Sequence, residues 1–417
     1  MGGSCSFVAA CLRRGALVAA LLLLLLLALA PAGAAARSGR VGPESRWSPW
    51  APREAVGKLV DDGWAMYGIW DAQLSGALLY TMTEIAPGMT LVATDATGTP
   101  VWSVATDDVS AASGKLPAAF VATFTDPDPN VLRSGTLRAY NADGTVRFEK
   151  SFTNKFVQPM CDTPKRLVWV EVSAHKVTRV FVRQGSTTRS IALPYRPPRA
   201  YFPDPAESST YGRRLAVGVY MSDPDEWRMM MYWLRVSRSG VPSIVAHGIT
   251  NWPYLALSPD GSHAAVISDR HPPYAMRNLW VDFGKFTGRL LPGDPPTEFA
   301  VGPQRIFEQG GYSYSSDAGS WSTTTVSVVD WSMYYMYQRA WVWDNDSGSI
   351  WFRYDPGISY LAGIDDAGVL TAINVDTWAI APVLGTFADA VPLADGRLAV
   401  LSTAGVLSFI ANPVAGP

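Results

Sequence analysis

The stretch LVATDATGTPVW, Leu91 to Trp102, decides how the rest of the chain is read. Leu91 and Ala93 alternate with Val92 and Thr94, the period-2 pattern of a strand with two unlike faces. Asp95, Thr97 and Gly98 then form a turn. The glycine supplies the left-handed backbone that a tight turn needs, and the Asp and Thr side chains cap it locally. Val101 and Trp102 open a second strand. Working outward, the same scheme returns in LRAYNADGTVRF (137–148), LWVDFGKFTGRLL (279–291) and WVWDNDSGSIWF (341–352), and more weakly around Gly185, Gly240 and Gly405. The seven turn glycines are separated by 46, 41, 55, 48, 60 and 57 residues. Further hairpins are expected at Ser258-Pro259-Asp260-Gly261 and Asp365-Asp366-Ala367-Gly368. Helical periodicity is confined to one short candidate, Arg53 to Asp62.

An all-strand repeat of this period predicts an all-β fold, a single β-propeller. Seven blades fit best, and six to eight fit if weak turns are merged or extra hairpins counted. The first strong strand, Trp64 to Trp70, lies near one end of the repeat array. The last, Val406 to Ile410, lies close to the other, so an N-terminal strand is expected to complete the last blade and close the ring. The chain divides into residues 1–36, an extended lead-in over 37–52 with Pro43, Pro49 and Pro52, and one propeller domain over 53–417.

Residues 1–36 read as a signal peptide. Arg13 and Arg14 precede an apolar run, Gly15 to Ala30, with seven consecutive leucines, and small residues follow up to Ala36. The run is short for a membrane span, so cleavage, a secreted or otherwise extracytoplasmic product and no stable membrane anchor are expected. Cys5 and Cys11 leave with that segment, and Cys161, left alone, reads as a small buried hydrophobe. The 34 basic and 36 acidic residues give a formal net charge of −2 and no basic footprint for nucleic acid, so no nucleic-acid partner is expected. With 16 Trp, 17 Tyr and 15 Phe, the chain is too aromatic to be intrinsically disordered.

At these turns the chain resembles the repeat of quinoprotein-like, PQQ-repeat propellers, roughly Leu-x-Ala-x-Asp-x-x-Thr-Gly-x-x-x-Trp. Leu91, Ala93, Asp95, Thr97, Gly98 and Trp102 carry the resemblance, and Leu137, Ala139, Asn141, Gly144 and Phe148 carry it less fully. It implies a propeller and leaves activity open, because function sits in sites grafted on folds. Enzymes of that family use pyrroloquinoline quinone with calcium, often under a disulfide of adjacent cysteines. Cys161 alone cannot form that disulfide, and no ligand set maps onto this chain. No cofactor is expected, and calcium has only the acidic turns Asp126-Pro127-Asp128, Asp223 to Glu226 and Asp344 to Asp346 to draw on.

Catalytic constellations are incomplete. Gly311 to Ser315 lacks the second glycine of a nucleophile elbow. His175, His247, His263 and His271 do not pair at metal-ligand spacing, so no metal site is expected. The densest aromatic region runs from Tyr312 to Tyr360. Its Trp341 and Trp343 alternate as packing residues do, whereas Tyr312, Tyr314 and Trp321 fall in a less regular part and are the candidate ligand-binding residues. Asn345 opens an Asn-x-Ser acceptor, a glycosylation site in a eukaryotic source. These readings converge on a non-catalytic scaffold for a protein or glycan ligand. The alternative is a carbohydrate-active or quinone-linked enzyme with its site at the central channel mouth.

Overall fold

The computed structural model describes residues 57 to 415, apart from short connecting segments such as 113–117, 126–131, 197–203, 221–227 and 331–338. The signal-peptide and lead-in expectations, 1–36 and 37–52, lie outside the described residues, as do Asn345, Gly348 and Gly261.

Thirty strands and no helix make up the described chain. The first meander joins β1 (Gly57–Val60), β2 (Gly63–Gln73), β3 (Gly76–Thr83), β4 (Ala86–Asp95) and β5 (Pro100–Thr106) in chain order. The second sheet is built from β6 (Asp108–Ala112), β7 (Ala118–Phe124), β8 (Arg133–Tyr140), β9 (Val146–Thr163), β10 (Arg166–Ser173), β11 (Thr178–Gln184) and β12 (Thr187–Ala192). It is two meanders fused through β9. Residues 146–155 of that strand pair with β8, and 155–163 pair with β10, so the two pairings overlap at Lys155. Three four-stranded meanders follow. They are β13 (Asp204–Ser208), β14 (Arg214–Tyr220), β15 (Arg228–Val236) and β16 (Pro242–Asn251), then β17 (Tyr254–Leu257), β18 (His263–Arg270), β19 (Ala275–Asp282) and β20 (Thr287–Leu291). The third is β21 (Glu298–Val301), β22 (Arg305–Ser316), β23 (Gly319–Asp330) and β24 (Arg339–Asp344). The last sheet holds β25 (Ile350–Tyr354), β26 (Tyr360–Asp365), β27 (Val369–Asn374), β28 (Ile380–Pro392), β29 (Arg397–Ser402) and β30 (Leu407–Ala411). It too is double: β28 pairs with β27 through its first half and with β29 through its second.

Where side chains are described, successive meanders pack face to face. Leu78, Leu91 and Ala93 of the first meet Ala119, Val121 and Tyr140 of the second. Phe120, Leu137 and Phe152 meet Leu167 and Trp169 of the third, and Val168, Val170 and Val180 meet Leu215, Val217 and Leu234 of the fourth. Phe307 and Val326 meet Phe352, Leu361 and Ile373, and Ile364 and Leu370 meet Leu398 and Val400. The chain's two ends also meet, because Ile69 and Ala77 share a cluster with Ala388, Leu393, Leu401 and Leu407. Each fully buried aliphatic or aromatic side chain contributes about 1.5–3 kcal/mol. The alternation read from sequence is therefore what glues one meander to the next.

Six of the expected turn glycines follow the sequence reading. Gly98, Gly144, Gly185, Gly240, Gly368 and Gly405 all have left-handed φ, between +59° and +87°. In the first, the Asp95 carbonyl accepts from the Gly98 amide, while its carboxylate takes the Thr97 and Thr99 amides at 2.8 and 3.0 Å. Trp102 closes the unit: its ring stacks on Tyr140 and its Nε1 donates to the Ala142 carbonyl at 3.1 Å, seating β5 on the next meander's turn.

Two expectations need correction. The helix over 53–62 is not formed where the chain is described; Gly57–Val60 pairs with Gly63–Met66 as a strand. A ten-residue helix is marginal without packing, and strand pairing wins. Gly288 is not a turn residue. It lies in β20 opposite Val281, with Thr287 opposite Asp282. β1 is hydrogen-bonded to β2 and not to β28–β30, so the last sheet ends on β30 among the described strands.

Candidate functional site

A buried carboxylate with three side-chain donors sits where the second and third meanders face each other. On β10, Trp169 and Glu171 alternate with Val168, Val170 and Val172, which point to the opposite core. Pairing carries the Trp169 face onto β11, with Trp169 opposite Phe181 and Glu171 opposite Arg179. From the neighbouring meander, β9 brings Phe148 and Lys150 to the same side. Trp169 and Phe181 stack at 5.2 Å, and Phe148 lies 5.6 Å from Trp169.

Charges sit on this aromatic stack. The Lys150 ammonium lies 4.6 Å from the Phe181 ring centre and 5.2 Å from that of Trp169, and the Arg183 guanidinium lies 4.8 Å from that of Phe148. These are cation–π distances. Glu171, 3% exposed, accepts from Lys150, from Lys155 at 2.7 Å and from the Trp169 indole at 2.8 Å. Burial pushes its carboxyl up, but the two ammonium groups and the indole N–H outweigh that and hold it below the ordinary carboxylate range. Glu171 thus fixes two lysines whose side chains remain about a third exposed, at 32% and 35%.

Two other carboxylates, half-buried Asp389 and buried Asp355, are committed to the fold. Asp389 accepts from the Ile69 amide at 2.9 Å and from Arg353 at 3.1 Å, linking the first and last sheets. Asp355 accepts from the Ser359 and Tyr360 amides at 2.6 Å each and from Gly357 at 2.9 Å. That loop carries Ile358, at φ +54°, whose carbonyl accepts from Arg305 on β22.

Burial pushes Asp355 up to about 6, against the pull of its amide donors and Arg305. The folded protein therefore keeps this proton up to about pH 6, whereas the unfolded chain releases it near 3.8. The group favours folding fully below about pH 4, and that contribution, about 3 kcal/mol, is lost as pH rises to 6. In urea denaturation from pH 4 to 7, the wild type should lose that much relative to Asp355→Asn. A pH-independent difference between the two proteins would overturn the assignment.

The sequence candidates fall elsewhere. Tyr312 and Tyr314 lie in β22 and Trp321 in β23, with Tyr314 directly opposite Trp321 and Tyr312 opposite Thr323. The expected irregular stretch is thus a long, regular hairpin that brings the three positions into neighbouring register, because Thr and Ser alternating with aromatics favour extended pairing. Cys161 is buried and makes no disulfide. Among the described residues, no three His, Cys, Asp or Glu side chains gather as a metal site. The Phe148, Trp169 and Phe181 group escaped the sequence reading. Its signal was the alternation of aromatic and basic residues within single strands, as in Phe148-Glu149-Lys150 and Phe181-Val182-Arg183.

No protein-family model and no curated protein matches the chain. Solved structures do. A prolyl endopeptidase, from work on two such enzymes and the role of inter-domain dynamics in their catalysis and specificity, superposes with a TM-score of 0.53 at 15% identity. The match covers 77% of this chain and 48% of that one, so the chain spans about half the length of that enzyme. The β-propeller domain of the trilobed protease from Pyrococcus furiosus, described as having an open velcro topology, gives 0.43 at 10% identity, over 74% of this chain and 98% of that one. The Dos1 propeller gives 0.46 at 9% identity, over 79% and 90%. At such identities the likeness is one of fold, and with the succession of face-packed meanders it makes this chain an all-β protein with the β-propeller fold.

Proposed function

We propose that the protein is an exported, non-catalytic binding scaffold, with residues 1–36 directing export. The observation that carries this reading is the engagement of the buried and half-buried carboxylates named above among the described residues. Glu171 is held by two lysines and an indole, Asp355 by three backbone amides, and Asp389 by Arg353 and a strand amide. A general acid, base or nucleophile needs a lone pair or proton aimed at substrate. Here those lone pairs serve the fold, and recognition falls to side chains on its surface.

Each meander is read as one blade. The register breaks inside β9 and β28 then support eight blades, the upper end of the expected range. The last blade, β28–β30, has three strands among the described residues, and an N-terminal strand is proposed to complete it. Kinship with quinoprotein-like propellers belongs to the same reading, on the strength of the Leu91–Trp102 unit and its docked tryptophan. No cofactor takes part. Tyr312, Tyr314 and Trp321, adjacent in register, are proposed as one ligand-contacting group for a protein or glycan.

The test is a glycan and protein array beside a panel of hydrolase and dehydrogenase substrates. The expected result is a retained ligand and no turnover. Loss of an array ligand in the Tyr312→Ala, Tyr314→Ala, Trp321→Ala variant would place that ligand on the β22–β23 hairpin. Turnover without any retained ligand would overturn the scaffold reading in favour of the channel-mouth enzyme.

A further inference from the structure

Charge is distributed very unevenly along this chain. Residues 133–196, which form β8 to β12, hold twelve Lys and Arg against four Asp and Glu, a formal +8. The remaining 353 residues hold 22 against 32, a formal −10. An almost neutral protein therefore carries one strongly basic sector, the kind of local field that steers and holds an anionic partner.

Within that sector the cations are ordered. Lys150 and Lys155 rise from β9, and Arg179 and Arg183 rise from β11 on the face that carries Phe181. Glu171, between them on β10, anchors both lysines. Arg183 rests on the Phe148 ring, and Arg179 donates to the Ser190 hydroxyl at 3.4 Å. Among the described residues neither arginine has a carboxylate within ion-pairing distance. Four cations share this face with one acid, so the lysines are pre-positioned and the arginines are left to bind outward.

We infer that this face binds an anionic polysaccharide, carboxylated or sulfated, through Lys150, Lys155, Arg179 and Arg183. The apolar surface between the cations is shallow: Trp169 and Lys150 cover Phe181, Arg183 covers Phe148, and both phenyl groups are half-buried. A shallow surface of fixed cations suits a polymer of regularly spaced anions better than the protruding anchor side chain that a protein partner inserts into a pocket. Guanidinium groups match carboxylate and sulfate oxygens in two-point contacts. The inference rests on the scaffold reading and gives it a ligand class, at a surface separate from the β22–β23 hairpin.

The test titrates the full exported chain with dextran sulfate, polygalacturonate, neutral dextran and polyglutamate, at low and high salt. The two anionic polysaccharides should bind and neutral dextran should not, with affinity falling as salt rises. The Arg179→Gln, Arg183→Gln double variant should bind about tenfold more weakly. Arg235→Gln, an exposed arginine on β15, should bind as the wild type does. Binding of the double variant within about twofold of wild type would overturn the inference. So would equal binding of neutral dextran, tighter binding of polyglutamate, or no binding by either anionic polysaccharide. The scaffold reading stands or falls separately, on the turnover panel and on ligands lost with Tyr312, Tyr314 and Trp321.

Discussion

Replacing Glu171 by alanine is expected to lower the free energy of unfolding by about 3 kcal/mol. Three donors converge on this carboxylate, and the least dispensable is the Trp169 indole, on a side chain that is fully buried. Without Glu171 that N–H has no acceptor in the core and cannot reach water. The lysines suffer less, because their side chains are about a third exposed and can turn outward. Glu171→Gln keeps an acceptor for the indole and should cost about half as much. The carboxyl is held below its ordinary range, so its contribution is present above about pH 4.5, the ordinary value, and is lost as pH falls through the folded value. Denaturant unfolding at neutral and acidic pH checks both points. A Glu171→Ala protein as stable as wild type at pH 7 would show that the charges stabilise nothing.

Gly98→Ala should be nearly as severe, at about 2–3 kcal/mol, and its cause is separable. At φ +87° any L side chain is strained, and a Cβ there would stand 2.5 Å from the Leu407 carbonyl oxygen. That oxygen is backbone, on the edge strand of the last sheet, and cannot swing aside. Gly185 occupies the same kind of turn at φ +59°, with nothing within 4 Å of its would-be Cβ. Gly185→Ala should therefore show the backbone cost alone, about 1 kcal/mol. The difference between the two variants measures how tightly the first meander's turn seats on β30. Equal losses would mean that the two ends of the chain do not press together at this point.

The same two glycines show how far a linear reading reaches. Both were legible as turn residues, because a glycine beside Thr or Ser between alternating runs encodes a local conformation. The Trp102 dock was half legible: its place after the turn is periodic, but its partners Tyr140 and Ala142 lie on the next unit. The aromatic-basic face was not legible. Phe148, Trp169 and Phe181 sit on three strands of two meanders, and their meeting depends on β9 serving both. The hairpin at 305–330 was misjudged for the converse reason. Its glycines and serines look irregular in isolation, and cross-strand pairing along its whole length holds them extended.

By itself, then, the order of residues settled the all-β class, the turns at such glycines as Gly98 and Gly185, and the alternating faces that must be covered, since each depends on neighbours a few positions apart. Tertiary structure alone decided which charges meet, which carboxylates are occupied, and where the surplus of basic groups is displayed. Those outcomes depend on distances across facing sheets, and Coulomb attraction and desolvation act through space, whatever the separation along the chain.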